Sequence, residues 1–250
     1  MGALHDGHLS LARLARGESG FVVVSIFVNP LQFGSAEDFT RYPRREEEDR
    51  AKLSGVGVDL VYLPEPGEFY PAGFSTAVDV GGVSEDGEGG ARPGHFRGVA
   101  TVVAKLFHQV APDVAVFGRK DLQQVAVVRR MIRDLDFPIR LVVGDTVREP
   151  DGLAMSSRNA YLSAQERRLA SAIPRVLFEG RDAAARGEHD AEKLAAEVRG
   201  KLSAAGIRVE YVDVVDPETM RPVDRAFPGA AIAAAVRVGS RRLIDNVLLP

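Results

Sequence analysis

Apolar residues fall along this chain in two alternating patterns. Residues 21–28 (FVVVSIFV) form a nearly unbroken apolar run, the kind a strand covered on both faces requires. Shorter runs of the same kind occupy 58–63, 113–117 and 139–144. Between them the apolar spacing turns helical, over 9–16, 46–54, 99–110 and 122–134. Strands alternating with helices predict a doubly wound, Rossmann-like α/β fold with a mainly parallel sheet.

The pattern changes beyond Arg148. Residues 163–186 and 190–205 read as two helices, the first opened by a capping box in which Glu166 follows Ser163 by three positions. Residues 209–215, 230–238 and 242–248 read as strands. A boundary at 148, just before the Pro150, Asp151, Gly152 turn, gives a Rossmann-like unit over 1–148 and a small α+β unit over 149–250. The Gly- and acid-rich stretch 81–94 reads as a loop, and the mixed-charge run 44–50 as a solvated helix face.

Composition narrows the function classes. A net charge of -3 with dispersed Lys and Arg leaves no electrostatic footprint for nucleic acid. The chain has no cysteine, which excludes disulfides, thiolate nucleophiles and zinc–thiolate sites and fits a reducing compartment. No apolar stretch approaches the ~20 residues that span a bilayer, and no signal-peptide pattern opens the chain. The expectation is a soluble cytoplasmic protein with neither a nucleic-acid nor a membrane partner.

Four segments could carry chemistry. His5 and His8 stand three apart at a helix start, joined by Gly7, where backbone N–H groups favour phosphate and two imidazoles add donors. Asn29 and Gln32 follow the strand at 21–28, the end of a parallel strand at which open α/β sheets bind ligands. Gly118, Arg119, Lys120 and Asp121 follow the strand at 113–117 in the same topological position, with Gln124 one turn into the next helix. Met155, Ser156, Ser157 and Arg158 form a polar loop able to grip phosphate oxygens. Taken singly, the last three also read as plain turns, and a metal site at the two histidines has no obvious third ligand.

Together these segments resemble one family. His-x-Gly-His followed by a basic, Ser-containing loop resembles adenylate-forming, nucleotidylyltransferase-like enzymes. The strings MGALHDGH, VVVSIFVNPLQF, EDFTRYPR, RPGHFRGVATVVAKLF, FGRKDLQQ and DGLAMSSRNAYL resemble the pantothenate synthetase family specifically. The resemblance implies ATP-dependent condensation of pantoate with β-alanine through a pantoyl-adenylate, releasing AMP and pyrophosphate, with Mg2+ on the nucleotide and a homodimeric assembly. It places Met1, Gly2, Ala3, Leu4, His5, Asp6, Gly7 and His8 at ATP, with His8 as proton donor. It gives Lys120, Ser156, Ser157 and Arg158 the phosphates, and sets Gly118, Arg119, Asp121, Val147 and Met155 around the nucleotide. Asn29, Gln32 and Gln124 fall to pantoate and β-alanine.

Two other readings stay open: a nucleotidylyltransferase acting on a phosphate acceptor, which would want basic residues where Gln32 and Gln124 stand, and a nucleotide-binding protein without catalysis. The chain also departs from the family pattern at Arg119 and at its start. Four residues precede His5, too few for the strand that normally delivers the first phosphate-binding loop. The expectation is a reading frame that begins upstream, with a break between the strands at 21–28 and 113–117 and Met1 near it.

Overall fold

A computed structural model describes residues 2–34 and 44–250. Met1 and all of the EDFTRYPR string except Arg44 lie outside the described residues. The first half runs α1 (Asp6–Glu18), β1 (Val23–Ser25), a 3-10 turn (Pro30–Gln32), α2 (Glu46–Ser54), β2 (Leu60–Tyr62), α3 (Pro66–Phe69), α4 (Glu88–Ala91), α5 (His95–Val110), β3 (Val114–Gly118), a 3-10 turn (Arg119–Asp121), α6 (Leu122–Asp134) and β4 (Arg140–Gly144). The second half runs through a 3-10 turn (Ser157–Tyr161), α7 (Ala164–Ala170), α8 (Ala172–Ala185), α9 (Ala191–Ala204), β5 (Arg208–Val215), β6 (Ala231–Val238) and β7 (Arg241–Leu248).

The first four strands form two parallel pairs, β1 with β2 and β3 with β4. Among the described residues no ladder joins β1 to β3, so the expected break is present. Helix α1 lies across it. Leu9 and Ala12 pack with Leu53, Val24 and Ile26 on one side, while Leu11 presses against Gly118 and Gly144 on the other. A Cβ on Gly144 would stand 2.5 Å from Leu11 Cδ2, so glycine lets the helix approach. On the opposite face of that pair, Ala115, Phe117 and Leu141 pack into a cluster with α5 and α6. Helices thus cover both faces of β3 and β4, the doubly wound arrangement.

The first strand is shorter than its apolar run, three residues instead of eight, and β1 to β4 are mostly half-buried rather than sealed on both faces. A two-stranded ladder gives each backbone only one neighbour, so pairing ends where that neighbour ends. The stretch 81–94 is not all loop: Glu88–Ala91 makes one helical turn, held by contacts from distant residues. The helix expected over 163–186 is two, α7 and α8, meeting at Ser171. Pro174 explains this, because it has no N–H for the carbonyl of Ala170 and its ring crowds that carbonyl. The capping box is formed, with Ser163 N–H donating to Glu166 at 2.8 Å and Glu166 N–H to Ser163 Oγ at 3.2 Å.

Strands β5, β6 and β7 make an antiparallel sheet with β6 in the middle. One face packs on α8 and α9 through Val212, Val214, Ile232, Ala234 and Val236. The other places Tyr211, Ala231 and Ala233 against the α5–α6 cluster. Covered twice, β6 is buried along nearly its whole length, which suits its run of alanines. No helix among the described residues is long and apolar enough to cross a membrane.

Candidate active site

The segment leading into α1 is tied down before any ligand arrives. Ala3 adopts a left-handed backbone, φ 54°, which exposes two successive N–H groups. Asp49 of α2, wholly buried, accepts both: Ala3 N–H at 2.8 Å and Leu4 N–H at 2.6 Å. Lys52 Nζ donates to the Leu4 carbonyl at 2.7 Å. The run 44–50 is therefore a solvated face with one inward anchor, a correction to the reading of it as all surface. Gly2 and Leu4 are buried, while Asp6 is exposed in the first helical turn, where a negative charge favours the helix dipole.

His5 stays extended and α1 starts behind it, its first turn closed by His8 and Leu9 N–H donating to the His5 carbonyl at 2.8 and 3.1 Å. The imidazoles lie 4.0 Å apart, centroid to centroid, tilted by 37°. His5 N–H donates to His8 Nδ1 at 3.3 Å. In neutral His8 the proton then sits on Nε2, leaving that N–H as a donor. Burial, and then the neighbouring His5, push the His8 pKa down from 6.5 to about 3. His5 is lowered too, by burial and then by Lys120. A Cβ on Gly7 would come within 3.0 Å of the His5 ring and 3.5 Å of Met155 Cβ, so the glycine lets the histidine fold back and Met155 pack close.

Lys120, Asp121, Ala154, Ser156 and Arg158 line one cleft of about 700 Å³, opposite Arg241 and Arg242 of β7. The size suits a nucleotide-sized ligand. Burial opposes ionisation of Asp121, but Lys120 Nζ at 3.3 Å, with His8 and Arg158, outweighs it and keeps its pKa low. Gly118 sits against Leu11, and Arg119 turns aside to Asp145, Nη2 to Oδ1 3.0 Å. The loop 155–158 is shaped by three contacts: Met155 N–H to the Val147 carbonyl at 2.9 Å, Arg158 N–H to Ser156 Oγ at 3.3 Å, and Asn159 Nδ2 to the Ala154 carbonyl at 3.0 Å. Ser157 opens the 3-10 turn that follows.

The three amides behave differently. Asn29 is 2% exposed and its amide is spent: Nδ2 donates to Gly98 O at 3.0 Å and Gln32 Oε1 at 3.2 Å, while Oδ1 accepts from Tyr70 Oη at 2.9 Å and Leu31 N–H at 3.2 Å. It builds the turn that presents Gln32. The Gln32 carbonyl accepts from His95 Nδ1 at 2.9 Å, and His95 and Arg92 border a smaller cavity that holds Gln124 beside Lys120 and Asp121. Gln124 thus lines that smaller cavity, and the Gln32 backbone is tied to its rim through His95. The approach depends on Gly98, where a Cβ would stand 2.2 Å from the Leu31 carbonyl.

Sequence reading missed Asp49, Gly98, Asn159 and the arginines of β7. Asp49, Gly98 and the β7 arginines act on residues far along the chain and carry no local signal, whereas Asn159 braces the nearby Ala154 and Glu149 and went unread inside the polar loop. Among the described residues no group of three or more His, Cys, Asp and Glu could cage a metal ion.

Residues 1–248 match the family model described as pantoate-beta-alanine ligase. The pantothenate synthetase of Anaeromyxobacter dehalogenans is 54% identical over 257 residues, spanning 100% of this chain and 89% of that protein. The crystal structure of pantothenate synthetase from Thermus thermophilus superposes with a TM-score of 0.96 at 49% identity, over 100% of this chain and 91% of that one. A pantoate-beta-alanine ligase from Francisella tularensis, solved with beta-gamma ATP and beta-alanine, gives 0.81 at 32% identity over 99% and 87%.

Proposed function

The chain belongs to the pantoate–β-alanine ligase family, and we propose that its cleft performs the ligase reaction in two steps with the residues assigned below. The carrying observation is that the Lys120 turn and the 155–158 loop line one cleft, while His5 and His8 of the α1 start lie close enough to couple electrostatically to Lys120 and Asp121. These donor sets come from elements far apart in sequence. That the Francisella relative was solved with a nucleotide and beta-alanine supports the choice of ligands.

In the first step a pantoate carboxylate oxygen attacks the α-phosphorus of ATP, the bond to pyrophosphate breaks, and pantoyl-adenylate forms. No protein nucleophile is needed; alignment and charge stabilisation supply the rate. Neutral His8 donates from Nε2–H to a phosphoryl oxygen that gains charge, which is the form the proton-donor role takes at a pKa of about 3. His5 flanks it, and Lys120 and Arg158 meet the departing pyrophosphate. Ser156, whose Oγ already accepts one bond, still has a proton to donate, and Ser157 stands next to it. Gly118, Val147 and Met155 border the nucleotide, while Gln124 and Gln32 hold pantoate, with Asn29 and His95 fixing Gln32. In the second step the β-alanine amine attacks the acyl carbon, AMP leaves and the amine loses a proton.

Mg2+ fits as a passenger on the nucleotide, since magnesium binds through substrate phosphates with one or two carboxylates. Asp121, kept ionised in the cleft, is the carboxylate that would be available to hold it. When bound the ion would neutralise phosphate charge. The same reading divides the chain near Arg148, with 149–250 as a lid, and takes the working form as a cytoplasmic homodimer.

Incubation with ATP and pantoate, with and without β-alanine, tests the reaction. AMP and pantothenate should accumulate only with all three, while ATP and pantoate alone should release pyrophosphate in a single burst equal to the enzyme present. Transfer of a nucleotidyl group to a phosphorylated acceptor, or nucleotide binding without turnover, would replace this reading.

A further inference from the structure

Two facts single out Asn246 of β7. It is 4% exposed, and its Nδ2 donates to two successive carbonyls on a distant turn, Arg119 O at 3.0 Å and Lys120 O at 3.1 Å. Those carbonyls belong to the two peptide planes that flank the Lys120 Cα. Peptide units are rigid, so fixing both planes fixes φ and ψ of Lys120 and the direction in which its side chain leaves the backbone.

The amide that does this is itself braced. Asn246 N–H donates to Asp245 Oδ1 at 2.8 Å, and its carbonyl accepts from Arg148 Nη2 at 3.3 Å. Arg148 pairs with Asp245 through both nitrogens, at 2.7 and 3.0 Å, and lies 4.9 Å over the Phe178 ring. Its Nη1 also donates to the Gly152 carbonyl at 3.1 Å, in the turn from which the 155–158 loop departs. Oδ1 of Asn246 is buried with no protein partner. Two carbonyls face the amide, so only its amino end can point at them, and an acceptor is left unpaired at a cost in stability. An arrangement selected for packing alone would not favour a buried polar group of this kind.

We propose that Asn246 is a positioning residue that sets the direction of Lys120 toward the ATP phosphates, with Arg148 and Asp245 linking the same brace to the 155–158 loop. The proposal rests on the assignment of Lys120 to the phosphates. It makes the antiparallel sheet part of the adenylation machinery, although none of its own atoms need reach the nucleotide.

The test compares Asn246→Leu, Lys120→Ala and the double variant in the full chain. Pantoate-dependent ATP–pyrophosphate exchange is measured against the single-turnover reaction of enzyme-bound adenylate with β-alanine. Misplacement of a catalytic group by about 1 Å costs on the order of 10²-fold, so Asn246→Leu should lower kcat for exchange by up to that factor. The β-alanine step and KM for pantoate should hold, and the double variant should match Lys120→Ala to within about twofold. Equal losses in both half-reactions, or losses that multiply in the double variant, would mean a merely structural role and overturn the proposal. An undiminished Lys120→Ala rate would remove the phosphate assignment itself. Asn246→Ser, smaller and polar, carries the same comparison where the Leu variant does not fold.

Discussion

The carboxylate of Asp49 accepts the N–H of Leu4 at 2.6 Å across 45 residues of sequence, and that bond fixes where His5 and His8 begin. With the Ala3 bond at 2.8 Å it satisfies two N–H groups that precede a helix, groups no intrahelical carbonyl can reach.

Replacing Asp49 by Ala leaves both groups unpaired, and a buried unsatisfied donor costs ~1–3 kcal/mol. The expected outcome is a urea midpoint lowered by a destabilisation in that range, with KM for ATP raised more than KM for β-alanine. Asp49→Asn, which keeps one carbonyl oxygen, should fall between. Unchanged stability and unchanged KM for ATP would show that the loop does not depend on this anchor.

Removing His8 should cost the chemical step rather than substrate binding. Loss of one donor to developing charge typically slows catalysis ~10²–10³-fold, so His8→Ala should lose exchange activity by that factor while binding pantoate normally in calorimetry. An undiminished rate would take His8 out of the mechanism.

The depressed His8 pKa also has a stability signature. The folded value of about 3 lies below the unfolded 6.5, so between those pH values the unfolded chain binds a proton that the folded chain refuses. This contribution destabilises the fold as pH falls from 6.5 toward 3 and vanishes above that window. Urea titrations across it should show a shallower pH dependence for His8→Asn than for the unsubstituted chain. Identical slopes would mean that His8 titrates normally in the fold.

The substrate amides separate ligands. Gln124→Leu and Gln32→Leu should weaken pantoate far more than ATP, because a pocket shaped for hydroxyls rejects a group that cannot pair. Gly98→Ala, which drives a methyl into the Leu31 carbonyl, should mimic Gln32→Leu by displacing the turn that presents it. Equal losses for ATP and pantoate in calorimetric titrations would mean these residues serve the nucleotide instead.

Legibility from sequence followed the range of the forces involved. Helices α2 and α6 match their expected bounds because apolar spacing and charge are local properties. The His-x-Gly-His start was readable for the same reason. The break between α7 and α8 was also written locally, in Pro174, and went unread because the amphipathic pattern continues through it. By contrast, α4 is one turn of helix in a Gly-rich stretch, and what holds it is Glu88 receiving Arg242 from 154 residues away. The part Asn29 plays in the turn was not legible, because an amide after a strand can bond a ligand, its own turn or both. Only its partners Tyr70 and Gly98 show its place in the turn.

The central claim is that this cleft joins pantoate to AMP before β-alanine takes part. The most direct measurement is exchange of labelled pyrophosphate into ATP by the unsubstituted chain, with pantoate present and β-alanine withheld. The account predicts exchange that requires pantoate and falls ~10²–10³-fold in His8→Ala. Exchange that proceeds without pantoate, or that appears only when β-alanine is added, would contradict it.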